Sequence, residues 1–177
     1  MKKLVFDLET KQAFDEVGGR EHADKLGMSL GVVYDYETGL YTTYFEPDAA
    51  ALADKLLSAE LVIGFNLLKF DYVVLQPYTP QDLRKINTLD ILAKTSALLG
   101  FRVSLESFVQ ATLGMGKMAN GLQSVAWYKA GMMDKIEEYC RHDVDLTRQL
   151  YEFGKANGRI YFVEKRSGRR REVPAYW

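Results

Sequence analysis

KLVFDL, residues 3 to 8, is a nearly continuous apolar run broken by one acid. Such a run reads as a central strand buried on both faces, with something polar held at its carboxyl end. Working outward, MSLGVVYDY (28–36) and LYTTYFE (40–46) are rich in β-branched and aromatic residues, and Glu37-Thr38-Gly39 between them is a hairpin turn. Three strands therefore precede any helix. Pro47-Asp48 opens a helix over 49–58 with the acid placed to cap it, and LVIGF (61–65) is a fourth buried strand. Residues 69–76 then continue as a helix that Pro77 stops. A fifth strand over 86–89 feeds a helix over 91–98, and Ser104 caps a helix running to Leu113. The glycine-rich stretch Gly114 to Gly121 is the least ordered, and 134–154 is a long amphipathic helix with Gly158 just past its end. Strands alternating with helices predict an α/β domain with a mixed five-stranded sheet and helices on both faces.

The 177 residues suit one domain, and 47% hydrophobic with 27% charged residues excludes disorder, collagen and coiled coil. The net charge of −1 is not that of a polybasic nucleic-acid coat, but it is unevenly spread: residues 155–177 carry +5, leaving −6 for the rest. That tail, with Ser167-Gly168 between two short β-prone runs, reads as a basic hairpin. The expected organisation is a domain over 1–158 with residues 159–177 as an appendage of it. A single cysteine, Cys140, permits no internal disulfide and no metal-binding cysteine cluster, which points to a reducing, cytoplasmic setting. Met1-Lys2-Lys3 precedes only three apolar residues, too few for a signal-peptide core, and no segment reads as a membrane span.

Chemistry is concentrated in acids. Asp7 and Glu9 are two apart on the first strand, so both leave one face at its carboxyl end, where α/β sheets place their ligand sites. Asp71 follows the fourth strand in Asn66-x-x-x-Phe70-Asp71, and Tyr139-x-x-x-Asp143 puts a phenol and a carboxylate one helical turn apart. Four such carboxylates at one site repel one another by at least ~1 kcal/mol per pair at about 4 Å, even in water. Two divalent cations would balance them, and at a separation of roughly 3.5 to 4 Å such a pair clamps both the attacking and the leaving oxygen of a phosphodiester. An all-oxygen set suits Mg2+ or Mn2+; zinc would favour His or Cys, and the only histidines are His22 and His142.

The segments V-F-D-L-E-T, G-F-N-x-x-x-F-D and Y-C-R-H-D-V resemble, in order over residues 3 to 151, the three exonuclease motifs of the DEDD superfamily of 3′ to 5′ exonucleases. Members include the proofreading domains of B-family DNA polymerases, RNase D and helicase-associated ribonuclease H-like domains. The resemblance implies a ribonuclease H-like fold, with Asp7, Glu9, Asp71 and Asp143 as ligands of two Mg2+ or Mn2+ ions. It implies that Tyr139 positions the attacking water and that Asn66 and Phe70 support the second motif. The activity implied is hydrolysis of single-stranded DNA or RNA from 3′ ends, with release of nucleoside monophosphates and a helicase or polymerase as partner. The tyrosine branch fits, because Tyr139 lies four before Asp143 while position 138 is Glu where the histidine branch has His. The alternative is a structure-specific or inactive nucleic-acid-binding module of the same fold.

Other residues have ordinary readings beside functional ones. Lys117, in the glycine-rich stretch, joins Asn66 and Phe70 as a candidate substrate contact, but Gly114-Met115-Gly116-Lys117 lacks the spacing of an ATP-binding loop. Asp90 either lies near the site or caps the helix beginning at Ile91; Asp145 forms a helix ion pair with Arg141 or Arg148; His142 faces away from Asp143. Phe14, Tyr72, Trp127 and Tyr128 either stack on bases or fill the core, and the basic hairpin either holds phosphates or is a charged sheet edge.

Overall fold

The computed structural model describes residues 2–116, 121–164 and 166–177. β1 (Lys3–Thr10) is the central strand of a five-stranded sheet with β2 (Met28–Asp35), β3 (Leu40–Phe45), β4 (Leu61–Gly64) and β5 (Thr88–Asp90), in the order β3-β2-β1-β4-β5. β2 runs antiparallel to both β1 and β3, whereas β1, β4 and β5 are parallel, so the sheet is mixed as expected. The hairpin turn at Glu37–Gly39 lies between β2 and β3, with Gly39 at φ +71°, a value that suits glycine.

The strand's alternation decides what goes where. Leu4, Phe6 and Leu8 point to one face and pack with Leu52 and Leu56 of α1 (Ala49–Leu57) and Leu75 of α2 (Asp71–Leu75). Val5 points to the other face, where it meets Leu30, Val32, Ile63 and the apolar stripe of α6 (Met133–Asn157): Ile136, Cys140, Val144 and Leu150. Asp7 and Glu9 share the parity of Val5, so the strand carries them toward α6. The β1–β2 register slips between Glu9 and Thr10, which pair with Leu30 and Met28, leaving Ser29 as an extra residue that bends the pair beside Glu9.

On the α6 side, α3 (Ile91–Leu99), α4 (Leu105–Leu113) and α5 (Gly121–Lys129) complete the helical cover. β6 (Arg159–Val163) and β7 (Arg170–Pro174) form the C-terminal antiparallel hairpin, and its Ile160, Phe162 and Val173 are buried in the same core as Val5. No helix among the described residues is long and apolar enough to cross a membrane.

Several expectations are corrected. Two 3-10 turns, Phe14–Glu16 and Arg20–Lys25, lie between the first two strands. The helix expected over 69–76 is only Asp71–Leu75, because Lys69 and Phe70 turn their N–H groups onto the Asn66 carbonyl in a tight turn. Asp48 sits at the N-cap of α1 without a side-chain capping bond. The fifth strand is shifted to Thr88–Asp90, and α5 occupies a stretch where periodicity gave no helix. Ser104 does cap α4, accepting the Ser107 N–H at 3.2 Å.

Gly31, opposite Leu8 in the sheet, sets how closely α1 can approach: a Cβ there would lie 2.9 Å from Leu52 and 3.2 Å from Phe6. Gly31→Val is expected to lower unfolding stability by about 1–3 kcal/mol through overpacking, read as a drop in the urea midpoint; an unchanged midpoint contradicts it.

Candidate active site

At the end of β1 the sheet opens. β4 pairs with β1 only through Leu61, Val62 and Ile63 against Lys3, Leu4 and Val5, so beyond Val5 that edge of β1 lacks its parallel neighbour. Asp71, the first residue of α2, uses the edge: its Oδ1 accepts the Leu8 N–H at 3.1 Å. One carboxylate from a distant motif is thereby fixed between the two strand positions that carry Asp7 and Glu9.

The turn that delivers Asp71 is itself built on an acid. Asp90, buried at the end of β5, accepts the Asn66 N–H at 2.9 Å and the Ala93 N–H at 3.1 Å through Oδ1, and the Leu68 N–H at 3.1 Å through Oδ2. It therefore caps α3 and also clamps the β4–α2 turn. Asn66 holds φ +75°, the left-handed region that asparagine tolerates better than most residues. Gly64 is required just before it, because a Cβ would lie 2.5 Å from the Leu67 side chain folded back over the strand.

From the opposite face, α6 presents Tyr139, Cys140 and Asp143 one turn apart to the end of β1. The Cys140 thiol donates to the Asp7 carbonyl at 3.4 Å and reaches the Asp7 carboxylate at 3.7 Å. One ligand atom each from Asp7, Glu9 and Cys140 lie within 4.8 Å of one another. Burial, then the charges of Asp7, Glu9, Asp143 and Asp71, hold the thiol well above the ordinary cysteine range, so all four acids act on one point. Because the thiolate is the metal-binding form, a thiol kept protonated serves Asp7 as a hydrogen-bond donor and leaves the cation-binding oxygens to the acids.

Electrostatics elsewhere in the site follow the same crowding. Asp71 is fully buried, and its pKa is raised well above the carboxylate range by burial and then by the neighbouring charge of Asp7; the Leu8 N–H offsets part of this. The Tyr139 phenol is pushed far up by burial, by the charges of Asp143, Glu9 and Asp7, and by its hydrogen bond to Asp143. It stays protonated at any pH the fold experiences and is a donor. Trp127 of α5 packs edge-on against its ring at 6.2 Å.

The carboxylates open into a cleft of about 1030 Å³ whose lining includes Asp7, Glu9, Tyr139 and Asp143, together with Asn66 and Phe70. Lys117 lies outside the described residues. His142 is not in the lining, and Asp145 is tied to Arg148 at 2.7 Å, to the Tyr41 hydroxyl at 2.6 Å and to Gln149, while Arg141 stacks over Tyr41 instead of pairing with it. Of the aromatics, Tyr72 is core, Phe14 borders the cleft against Phe70, and Trp127 and Tyr128 pack on the α6-side core. Sequence reasoning did not assign a site role to Cys140, although its i,i+3 relation to Asp143 places it on the same helical face. It also missed Arg102, whose guanidinium donates to Asn66 Oδ1 at 3.0 Å across 36 positions.

Models of known protein families give no match to this chain, and no curated protein is found similar to it.

The raised pKa of Asp71 makes a signed prediction for the protein in chelator. The unfolded carboxyl releases its proton near pH 4, before the folded one does, so stability falls as the pH rises from there through the folded pKa. Asp71→Asn keeps the acceptor for the Leu8 N–H and removes the charge. With EDTA present it should unfold at higher urea than wild type at pH 7 and at nearly the same urea below pH 4; equal midpoints at both pH values contradict the assignment.

Proposed function

We propose that this chain is a 3′ to 5′ exonuclease with a ribonuclease H-like fold, of the tyrosine branch of the DEDD superfamily, acting on single-stranded DNA or RNA ends. The observation that carries this reading is that Asp7 and Glu9 of β1 and Asp143 of α6, more than a hundred positions away, line one cleft, while Asp71 from a third segment accepts the Leu8 N–H between the first two. The mixed five-stranded sheet with helical cover agrees with the fold that the motif resemblance implies.

The donor set fits hard divalent cations. Asp7, Glu9, Asp71 and Asp143 would hold two ions, Mg2+ or Mn2+, since the donors are carboxylate oxygens and the one sulfur is kept as a thiol. Once bound, the ions would supply charge balance for the acids and Lewis acidity toward the phosphodiester and the attacking water. The chain's own part is positional. Asp71 is immobilised by the Leu8 N–H, and Asp7 by the Cys140 thiol. Tyr139, held protonated with its O–H given to Asp143, keeps its oxygen lone pairs to accept from and so orient a water, and it cannot serve as a base. Asn66 and Phe70 line the approach for the terminal nucleotide.

Asp7→Ala and Asp143→Ala should each reduce manganese-dependent release of mononucleotides from 3′-labelled strands by roughly 10³-fold or more, with the circular dichroism spectrum retained. Wild-type rates in either variant would sink the assignment. Tyr139→Phe keeps the ring and should lower kcat by roughly 10²-fold, with a smaller effect on KM; an unaltered kcat removes Tyr139 from the reaction. EDTA should stop digestion, and circular single strands, having no end, should survive where linear ones do not.

A further inference from the structure

The cleft that contains Asp7 and Glu9 also takes in three arginines from three separate segments: Arg20 from the connection after β1, Arg102 from the α3–α4 connection and Arg166 from the β6–β7 turn. All three are exposed. Arg20 lies over the Phe14 ring at 5.5 Å and Arg102 donates to the neutral Asn66 amide; among the described residues none of the three has a carboxylate partner. Three other arginines of the hairpin are occupied. Arg159 pairs with Glu172 at 3.1 Å, Arg171 with Glu164 at 3.0 Å, and Arg170 stacks on Tyr161 while donating to the Ala111 carbonyl at 2.9 Å. Glu164, the hairpin acid that shares the cleft, is thus neutralised by Arg171 and also accepts from Ser167. The cationic charge left without a counter-charge on this hairpin therefore includes a side chain directed at the cleft.

Beside Arg102, Phe101 is 50% exposed and packs edge-on against Phe162 of β6 at 6.0 Å. A large ring left half in water beside Arg102 in the cleft lining suits stacking on a flat partner. We infer that the C-terminal hairpin forms part of the substrate cleft, where Arg166 and Arg102 hold phosphates of a single-stranded polynucleotide and Phe101 stacks on an unpaired base. The occupant's identity rests on the nuclease reading, and the hairpin's place in the cleft does not. The charge distribution supports it: with residues 1–154 at −6, a polyanion gains nothing from the net charge of the body and needs local cations such as Arg102 and Arg166. Each guanidinium that neutralises a phosphate releases a condensed counterion, and a base outside a duplex offers a free π-face.

The test is fluorescence anisotropy of a fluorescein-labelled oligothymidylate of about 12 nucleotides, with calcium present, over a salt series. Arg102→Ala with Arg166→Ala should weaken binding roughly tenfold or more at low salt and flatten the slope of log K against log salt by about 1.4. Arg166→Ala alone should give about half that change in slope, which matters because Arg102 also braces Asn66. Phe101→Ala should weaken binding roughly fivefold or more. Arg84→Ala with Arg159→Ala removes the same two charges from residues that pair with Asp82 and Glu172 outside the cleft lining and should weaken binding far less; equal losses from the two double variants overturn the inference. Digestion by the wild type, followed in parallel with manganese, separates the two readings. Arginine-dependent binding without digestion leaves the cleft inference standing and defeats the nuclease, whereas digestion by a protein whose binding is indifferent to Arg102 and Arg166 does the reverse.

Discussion

Like charges crowded at the end of a buried strand are the constraint around which the rest of this molecule is arranged. Asp7 and Glu9 project from β1 on the face that α6 covers, and α6 answers with another acid, Asp143. Asp71 arrives from the other side of the strand and is fully buried. In a medium of low effective permittivity such a group is unfavourable unless each member is held by a donor or balanced by a cation. The donors present are specific: the Leu8 N–H for Asp71, the Cys140 thiol for Asp7 and the Tyr139 hydroxyl for Asp143.

Those donors exist because two periodicities coincide. A strand repeats every two residues and α6 every three to four, so Val5, Asp7 and Glu9 line up against Ile136, Tyr139, Cys140 and Asp143 along one seam. The apolar members of the seam dock the helix, and the polar members meet where the docking ends. A shift of one residue in β1 would send both acids into the α1 and α2 core, where Phe6 and Leu8 now sit.

Much of this was readable along the chain. The buried runs at 3–8 and 61–65, the hairpin around Gly39 and the amphipathic repeat of the last long helix appear as expected, because each is a local pattern with a single stable partner arrangement. The misreadings fell where long-range contacts overrule local preference. Residues 69–70 have helical composition, yet Asp90, some twenty positions on, takes the Asn66 and Leu68 N–H groups and holds the segment in a turn. Asp145 looked like one half of a helix ion pair; it also ties α6 to β3 through Tyr41, a residue 104 positions away.

The sequence by itself determined that four acids and a tyrosine stand at strand ends and helix faces, and that their charge demands compensation, because alternation and helical spacing are local properties. Only the tertiary structure decided that Cys140 belongs with them, that Asp90 shapes the turn carrying Asp71, and that Arg166 of a distant hairpin shares a cleft with Asp7. Those relations join side chains whose proximity depends on how two cores pack against opposite faces of one sheet. No spacing along the chain encodes such distances, since the path between the partners runs through elements whose placement is fixed by burial.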